Sequence, residues 1–279
     1  MKNLLLIVLL TLLNSLILPN QDSVSHWKKE GVVGLNISQI TLENWSQGGD
    51  DALSWTFYSN LGFNYSYDMW RILNKFKLSY GRTKLGTEEY RTNDNEIYLE
   101  NVVSYNVGWA VDPYFSNTIR SSLSSGFNYK PVPAKQIADF FDPGYITQSM
   151  GFTFNKENNF TFRAGLGLQE TFTNKFRNYS DDPETKAELE AFKFETGVET
   201  VAEGKYTFEE NLALNSKLRM FSTFKDIDIW DVRWDNSLTA KVTKYVNVNL
   251  NILIIYEKKQ TPKTQLKEAL QLGIVYNLF

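Results

Sequence analysis

Apolar and polar residues alternate along most of this chain with a period of two, which is the pattern of β-strands with one apolar face. In the last nine residues, QLGIVYNLF, one parity holds Leu272, Ile274 and Tyr276, and the other holds Gln271 and Gly273. Eleven more segments show the same alternation, so the sequence predicts twelve strands. The apolar sides of these eleven begin near Val33, Leu53, Ile72, Ile97, Phe115, Ile146, Phe160, Phe192, Leu212, Trp230 and Val246.

The polar parity of these segments carries nearly all of their charge. The apolar parity has only Glu170 and Glu268, which we place near strand ends. A charge there costs roughly 0–1 kcal/mol, against about 2–4 kcal/mol for a basic residue at the middle of a bilayer. Glycines such as Gly62 and Gly151 also share the polar parity, where a missing side chain lets a sheet curl inward. The pattern therefore suits a sheet that closes around a polar interior.

Alternation alone does not distinguish a membrane barrel from a secreted β-sandwich with an apolar core. Three further features favour the barrel. Connections after odd-numbered strands are mostly long, as at 41–52 and 82–96, whereas those after even-numbered strands are short, an asymmetry typical of transmembrane barrels. The even number of strands returns both termini to one side. Aromatic residues flank the strands, with Trp70, Trp109, Tyr114 and Tyr245 on the short-turn side and Tyr80, Tyr145, Trp230 and Tyr256 on the other.

The N-terminus predicts export. Lys2 precedes a mostly apolar run from Leu4 to Leu18 that is too short to span a membrane, as in a signal peptide. We expect a signal peptide over residues 1–20, a periplasmic segment over 21–31 and a barrel over 32–279. The chain has no cysteine, which excludes a disulfide framework and suits a bacterial envelope protein. The predicted fold is an all-β, transmembrane, antiparallel up-and-down β-barrel of about twelve strands in a Gram-negative outer membrane, with both termini periplasmic.

The chain ends on an aromatic residue directly after the last predicted strand. In a closed barrel that strand pairs with the first and removes the sheet edge. The ending also resembles the signal that the barrel-assembly machinery reads, and we assign Gly273, Tyr276 and Phe279 to it. Phe279 departs from the usual spacing, because Leu278 takes the position in phase with Tyr276. The expected partners are therefore outer-membrane lipid and the assembly machinery.

The stretch ISQITLENWSQGGDD resembles a family of uncharacterised Gram-negative envelope proteins, domain of unknown function family 3078. The shared features are a Ser-Gln step that ends the first strand, an Asn-Trp and Gly-Gly loop, LSYG at 78–81, an Arg-x-x-Asp step at 91–94, and IADFFDPGY at 137–145 followed by Gly151. The resemblance implies an outer-membrane β-barrel over nearly the whole mature chain and supplies no activity, ligand or catalytic residue. The family-motif positions are Ser38, Gln39, Asn44, Trp45, Gly48, Gly49, Pro143 and Tyr145.

Composition excludes several function classes. The formal charge of −3 comes without a basic cluster, which argues against a nucleic-acid partner. The single histidine, His26, precedes the first strand and is expected to be solvated, so serine-histidine and metal chemistry lack their imidazole. The SQGGDD stretch opens no helix and is not a phosphate-binding loop. We predict no catalytic residue, no metal and no cofactor.

Charged residues of the polar parity are the remaining candidates for function. They would project into a barrel that is wider than the eight-stranded size that side chains alone fill. In one interpretation they pair into a network that braces the wall, and in the other they form a constriction that selects small polar or zwitterionic solutes. The candidate lumen charges are Glu100, Arg120, Arg163, Glu195, Glu199, Lys217, Arg219, Asp231, Arg233 and Asp235.

The sequence therefore predicts a non-enzymatic barrel for the passive passage or binding of small polar solutes. The first alternative is a structural or surface-interaction barrel with a closed lumen, in which loops such as VPAKQIADFFDPGY form the working surface. The second is a membrane-embedded hydrolase that uses carboxylates. Glu195 and Glu199 are the obvious pair for it, but a spacing of four residues on a strand spans about 13 Å.

Overall fold

The computed structural model describes residues 25–44, 46, 49–156, 159–182, 185, 189–258 and 261–279, so the expected signal peptide lies outside the described residues. A short 3-10 helix spans Arg177–Tyr179. No helix in the described ranges is long and apolar enough to cross a membrane. The described chain forms fourteen strands: β1 (Trp27–Ile40), β2 (Ala52–Tyr67), β3 (Trp70–Leu85), β4 (Arg91–Tyr105), β5 (Asp112–Ser121), β6 (Gly126–Asn128), β7 (Lys135–Ala138), β8 (Gly144–Lys156), β9 (Phe160–Phe172), β10 (Phe192–Glu209), β11 (Leu212–Thr223), β12 (Asp231–Lys241), β13 (Val246–Tyr256) and β14 (Gln265–Asn277).

All strands except β6 and β7 belong to one closed antiparallel barrel, in which neighbours along the chain are neighbours in the sheet. The barrel closes where β14 pairs with β1, from Val32 opposite Asn277 to Ile37 opposite Leu272. β6 and β7 form a separate hairpin inside the connection from β5 to β8. The predicted up-and-down barrel of twelve strands is confirmed, and so is its closure by the C-terminal strand.

The barrel has an apolar outside and a polar inside. Leu266 and Leu270 of β14 are each 65% exposed, and Leu166 of β9 is 59% exposed. Glu100 and Arg163 instead face the interior and are 2% and 5% exposed. A soluble protein rarely exposes an apolar belt of this extent, whereas lipid covers one in a transmembrane barrel. The predicted orientation of the two faces is confirmed, and the barrel is of the transmembrane kind.

The connections differ in length between the two rims. One rim carries 41–51, the hairpin-containing connection 122–143, and 173–191. The other carries 68–69, 157–159 and 210–211, together with the start of β1 and the end of β14. We call these the long-loop rim and the short-turn rim. The predicted alternation of long and short connections is present.

Several strands run further than their alternation predicts. The connection expected over 82–96 shrinks to 86–90, because β3 and β4 continue to pair beyond the apolar belt and β2 pairs with the same part of β3. β1 begins at Trp27, inside the segment expected to precede the barrel, and β10, whose apolar pattern is weakest, is the longest strand at 18 residues. A strand that leaves the bilayer needs no apolar face, so its pairing continues where the sequence pattern stops.

The fifth predicted strand is wrong in its second half. β5 ends at Ser121, and Leu123 does not continue it. Phe127 belongs to β6, whose partner is β7 and not a barrel strand. The chain bends here because Asn95 of β4 binds the backbone N–H groups of Leu123 and Ser124 at 3.0 Å and 2.9 Å, which gives that backbone a partner other than the barrel ladder.

The aromatic residues at the rims divide by the direction of their side chains. Trp109 and Tyr245 at the short-turn rim are exposed, as girdle residues would be. Tyr114, which the sequence assigns to the same girdle, is only 6% exposed and shares a 3.2 Å hydrogen bond with Ser149 inside the barrel. Tyr145 also faces inward. Both tyrosines occupy inward-facing positions, Tyr114 on β5 and Tyr145 on β8. Their side chains therefore point into the lumen although both residues lie near a rim.

Candidate functional site

The lumen is crossed by ion pairs between strands that are not neighbours in the sheet. Glu100 of β4 accepts hydrogen bonds from Arg163 of β9 at 2.5 Å and from Lys217 of β11 at 2.6 Å. Lys217 also donates to the Tyr98 hydroxyl at 2.8 Å. We call Glu100, Arg163, Lys217 and Tyr98 the central layer. Because β9 lies three strands and β11 five strands from β4 around the barrel, these contacts cross the lumen between strands that are not neighbours.

A second group of contacts lies beside the central layer. Glu199 of β10 accepts from Arg219 at 2.7 Å and from Ser149 at 2.6 Å. Arg219 donates further to Gln169 at 3.0 Å, and its guanidinium lies 5.5 Å from the ring of the fully buried Phe221. Each charge therefore has an opposite charge and polar partners, which offsets the cost of removing it from water.

Lys75 of β3, which lies opposite Glu100 in the β3–β4 register, pairs with Glu203 of β10, which lies opposite Lys217 in the β10–β11 register, so this ion pair adjoins the central layer. Around the β1–β14 seam the lumen is filled by neutral groups instead. Asn249 donates to Asn36 at 3.1 Å, and Asn36 donates to Gln271 at 3.2 Å. An added Cβ at Gly273 would lie 2.1 Å from the Asn247 side chain, so a glycine there makes room for this amide cluster. The lumen is thus filled over its short-turn half.

The long-loop half holds an open cavity of about 370 Å³, which we call the vestibule. Its floor is Arg120 and Arg233, which share the carboxylate of Glu96. At its mouth Lys267 of β14 pairs with Asp94 of β4 at 3.1 Å. Hydroxyl and amide groups of β4 and β5 line one side, and Phe127, Ile137 and Leu253 line the other.

Arg120 is the floor residue with spare hydrogen-bonding capacity. Its guanidinium lies 5.4 Å from the Tyr98 ring. The Nε atom is 3.3 Å from Glu96, but the geometry is not that of a hydrogen bond, and this buried atom has no hydrogen-bond partner among the described residues. Arg233, by contrast, donates to both Glu96 and Asp235. Arg120 is therefore the floor guanidinium with an unpartnered nitrogen among the described residues.

The β5–β8 connection folds over one side of the vestibule. Asn95 donates to the Ser124 carbonyl at 2.6 Å, and the Tyr129 hydroxyl accepts from the backbone of Thr92 at 2.9 Å. Asp142 accepts the N–H groups of Asn174 and Lys175 at 3.0 Å and 2.7 Å, which joins this connection to the 173–191 loop. The two longest connections are thus held together above the cavity.

A second tether joins the same connections at the surface. Lys175 donates to the Asp139 carboxylate at 3.1 Å, and the Phe140 N–H donates at 2.9 Å. These bonds hold the pKa of Asp139 below its ordinary value, with the Lys175 bond as the larger cause. The tether is therefore complete above the ordinary aspartate pKa and is lost as pH falls through the lowered one.

The Asp142 contact can be tested by substitution. Asp142→Ala is expected to remove the charged acceptor of two N–H groups of the 173–191 loop, and a hydrogen bond to a charged group contributes about 1.5–3 kcal/mol. Hydrogen exchange of the amides of Asn174 and Lys175 should then quicken by roughly tenfold or more, since 1.4 kcal/mol is a factor of ten. Asp50→Ala, an exposed aspartate in another loop at the same rim, is the matched control and should leave these amides unchanged. Unchanged exchange in Asp142→Ala would show that other contacts hold the loop.

The remaining candidates lie apart from the central layer. Glu195 pairs with its strand neighbour Lys193 at 3.0 Å, nearer the long-loop rim, and Asp235 pairs with Arg233 on β12. Asp231 lies at the long-loop end of β12. Glu195 and Glu199 have separate partners, and no group of three or more potential metal ligands occurs in the described residues. The sequence identified most of the lumen charges. It placed Lys75 on the polar parity without naming it a candidate, and it did not identify Tyr98, Glu96 and Glu203, which share the inward parity of their strands.

The motif residues have structural positions. Asn44 and Gly49 have positive φ values of 55° and 117°, as a tight loop requires, while Trp45 and Gly48 lie outside the described residues. The Pro143 carbonyl accepts a 2.8 Å hydrogen bond from Ser121 at the edge of the vestibule. At the C-terminus, Tyr276 is exposed on the outer face and the Phe279 ring lies 6.3 Å from that of Phe63. His26 lies at the short-turn rim, 4.4 Å from the Tyr67 ring.

Comparison with known proteins gives a family and distant structural likenesses. No curated protein matches the chain. The translocator domain of the autotransporter NalP from Neisseria meningitidis is 10% identical, with 92% of this chain and 90% of that chain covered and a TM-score of 0.38. An outer membrane channel from Pseudomonas putida F1 is 12% identical, with 94% and 99% covered and a TM-score of 0.40. Residues 37–127 match the model of the family described as "Protein of unknown function (DUF3078)", which confirms the family resemblance over that part of the chain.

Proposed function

We propose that this protein is an outer-membrane β-barrel of a Gram-negative bacterium that binds small solutes with an anionic group in the vestibule. Its role is non-enzymatic, and its lumen is closed to passage at rest. The apolar belt supports the membrane location. Both ends of the barrel lie at the short-turn rim, which supports periplasmic termini and a vestibule that opens to the cell exterior.

The central layer carries the proposal that the lumen is closed. A conducting pore needs a continuous wet path, yet Glu100 binds Arg163 and Lys217 of two strands that are not its neighbours, and Glu100 and Arg163 are almost inaccessible. The cavity between the vestibule and the central layer has a volume of about 20 Å³. That volume is close to the minimum for a single water molecule, roughly 10–15 Å³. A solute that fills part of the vestibule could not pass this point.

The charge of the vestibule supports an anionic solute. Its walls carry three cationic side chains, Arg120, Arg233 and Lys267, against the two carboxylates of Asp94 and Glu96. Both carboxylates are already paired, whereas Arg120 has an unused donor. The hydroxyl and amide groups of β4 and β5 add neutral partners for the polar part of a solute. A small carboxylate fits this arrangement best.

Calorimetric titration of the refolded full-length barrel with butyrate tests the binding proposal. Arg120→Gln is expected to weaken butyrate binding about tenfold or more, because a charge-assisted hydrogen bond contributes roughly 1.5–3 kcal/mol. Lys28→Gln removes the same charge from an exposed side chain at the short-turn rim and should leave the affinity unchanged. Equal affinities for the two variants, or no binding by the unmodified protein, would refute an Arg120 site.

Planar-bilayer recordings test the closed lumen separately. The unmodified barrel should show no sustained conductance. Sustained conductance would instead support the passive passage of small polar solutes through the charged lumen, as the sequence predicts. A barrel that neither conducts nor binds butyrate would favour a structural or surface-interaction role, for which the nearly fully exposed Val132 at the tip of the β6–β7 hairpin offers a contact point.

A further inference from the structure

The seam that closes the barrel is joined over only part of its length. β1 pairs with β2 along its whole length, from Trp27 to Ile40, and β13 pairs with β14 from Val246 to Ile255. Between β1 and β14 the pairing stops at Ile37 opposite Leu272. Residues 38–40 of β1 and 265–271 of β14 are described strand residues without a backbone pairing partner across this seam. Seven of the 13 residues of β14 therefore lie beyond the paired part, and we call this long-loop end the unpaired half of the seam.

The unpaired half leaves backbone groups of β14 pointing at a gap. Alternate residues of an antiparallel strand direct both N–H and C=O to the same neighbour. The Leu278 N–H donates to the Gly31 carbonyl of β1 at 2.8 Å, so by this period Leu270 directs its groups toward Gln39 of β1, whereas Glu268 and Leu266 direct theirs toward positions beyond the end of β1. In hydrocarbon each unsatisfied group costs several kcal/mol. Leu270 faces outward and is 65% exposed, so we expect the gap beside it to open on the apolar belt and to hold water or a polar ligand.

The side chains at the gap agree with a wet opening. Glu268 lies near the start of β14, as the sequence predicts, and faces outward opposite Ile252. Glu268 is thus a carboxylate on the lipid-facing parity beside the gap. Ser38 faces inward there and is exposed, whereas Asn36, one inward position deeper, is buried. Lys267, on the unpaired stretch of β14, also lines the vestibule. The gap and the vestibule therefore share a wall.

We propose that the unpaired half of the β1–β14 seam is a lateral opening between the vestibule and the outer leaflet, and that its ligand is an amphiphile with an anionic head and an apolar tail. This inference rests on the proposed function, since the head binds at Arg120. Phe127, Ile137 and Leu253 form the apolar side of the vestibule, which suits the start of an alkyl chain. The opening lets the rest of the ligand's alkyl chain remain in lipid. If the barrel wall were closed, the whole alkyl chain would have to enter the vestibule from water.

A disulfide across the gap tests this inference in a chain without native cysteine. If the register continued beyond Ile37 and Leu272, Gln39 would lie opposite Leu270. The double variant Gln39→Cys with Leu270→Cys joins these two positions. The bond requires the two Cα atoms within about 7 Å, so it closes the gap. Leu35→Cys with Ile274→Cys joins residues that already pair, and is the matched control. Each variant is studied in nanodiscs as the full-length protein, with tritiated decanoate and tritiated butyrate as probes.

Oxidation of the Gln39–Leu270 variant should slow decanoate association at least tenfold, leave butyrate binding unchanged, and be reversed by dithiothreitol. The control disulfide should change neither probe. If the disulfide does not form, Leu270→Cys labelled with a bulky maleimide serves as the block, with the same expected result. If decanoate association is unchanged in the oxidised Gln39–Leu270 variant while butyrate still binds, the lateral opening alone is overturned. If the unmodified protein does not bind butyrate, the vestibule site itself is overturned. Disulfide-linked dimers of Leu270→Cys would show instead that the seam joins two copies of the chain.

Discussion

Glu100→Ala is expected to lower the free energy of unfolding of the barrel by about 3–5 kcal/mol, the cost of breaking a buried ion pair from one side. Glu100 is the shared anion of Arg163 and Lys217, and it is 2% exposed. Its removal leaves one guanidinium and one ammonium close together in a nearly dry layer. Lys217 keeps only Glu203, 3.8 Å away, as an opposite charge. Equilibrium unfolding by guanidinium chloride in lipid vesicles measures the change.

Two variants make the Glu100 result specific. Glu88→Ala removes an exposed carboxylate that pairs with Arg91 at the long-loop rim, and surface pairs contribute only about 0–1 kcal/mol. Glu100→Met with Arg163→Met removes both charges of the strongest pair, and should recover part of the loss, because apolar replacement of a buried pair is often neutral or stabilising. If Glu100→Ala lowers the free energy of unfolding no more than Glu88→Ala does, the central layer is hydrated, and the proposal of a closed lumen is refuted.

The sequence predicted which side chains enter the lumen, but it did not predict which of them meet. A period of two places Glu100, Arg163 and Lys217 on the inward side of their strands without any knowledge of the fold. Their contact depends on the cross-section of the barrel and on the stagger between strands, because Glu100 and Arg163 are 63 residues apart in sequence. The sequence therefore identified the components of the central layer and left its geometry open.

Alternation also has a physical boundary, which explains where the strand assignments failed. Lipid imposes an apolar face only within the bilayer, so β3 and β4 continue as a polar ladder where the sequence predicts a loop. The bend after Ser121 depends on Asn95, a single side chain on another strand. The partly open seam was beyond sequence reasoning for a similar reason. The register of β1 against β14 is a property of the closed barrel and not of either segment.

Leu166→Arg is expected to destabilise the barrel by about 2–4 kcal/mol, the cost of a basic residue on the lipid face near the bilayer midplane. Leu166 lies in the middle of β9, on the outward parity, and is 59% exposed. Leu189 in the 173–191 loop is the matched control, because its 55% exposure is nearly the same although it lies outside the barrel wall. Leu189→Arg should change the free energy of unfolding by no more than about 0.5 kcal/mol, as for most surface substitutions.

The comparison of these two variants tests whether the apolar outer face of the barrel contacts lipid, on which both proposals depend. In a water-soluble barrel an arginine at either exposed leucine would be solvated, and the two costs would be alike. In lipid only the Leu166 variant must desolvate its guanidinium or draw it toward a headgroup, so the costs separate. Unfolding titrations of both variants in vesicles of one lipid composition measure the difference directly. Equal costs would place the outer face of β9 in water and remove the membrane, the vestibule orientation and the lateral opening together.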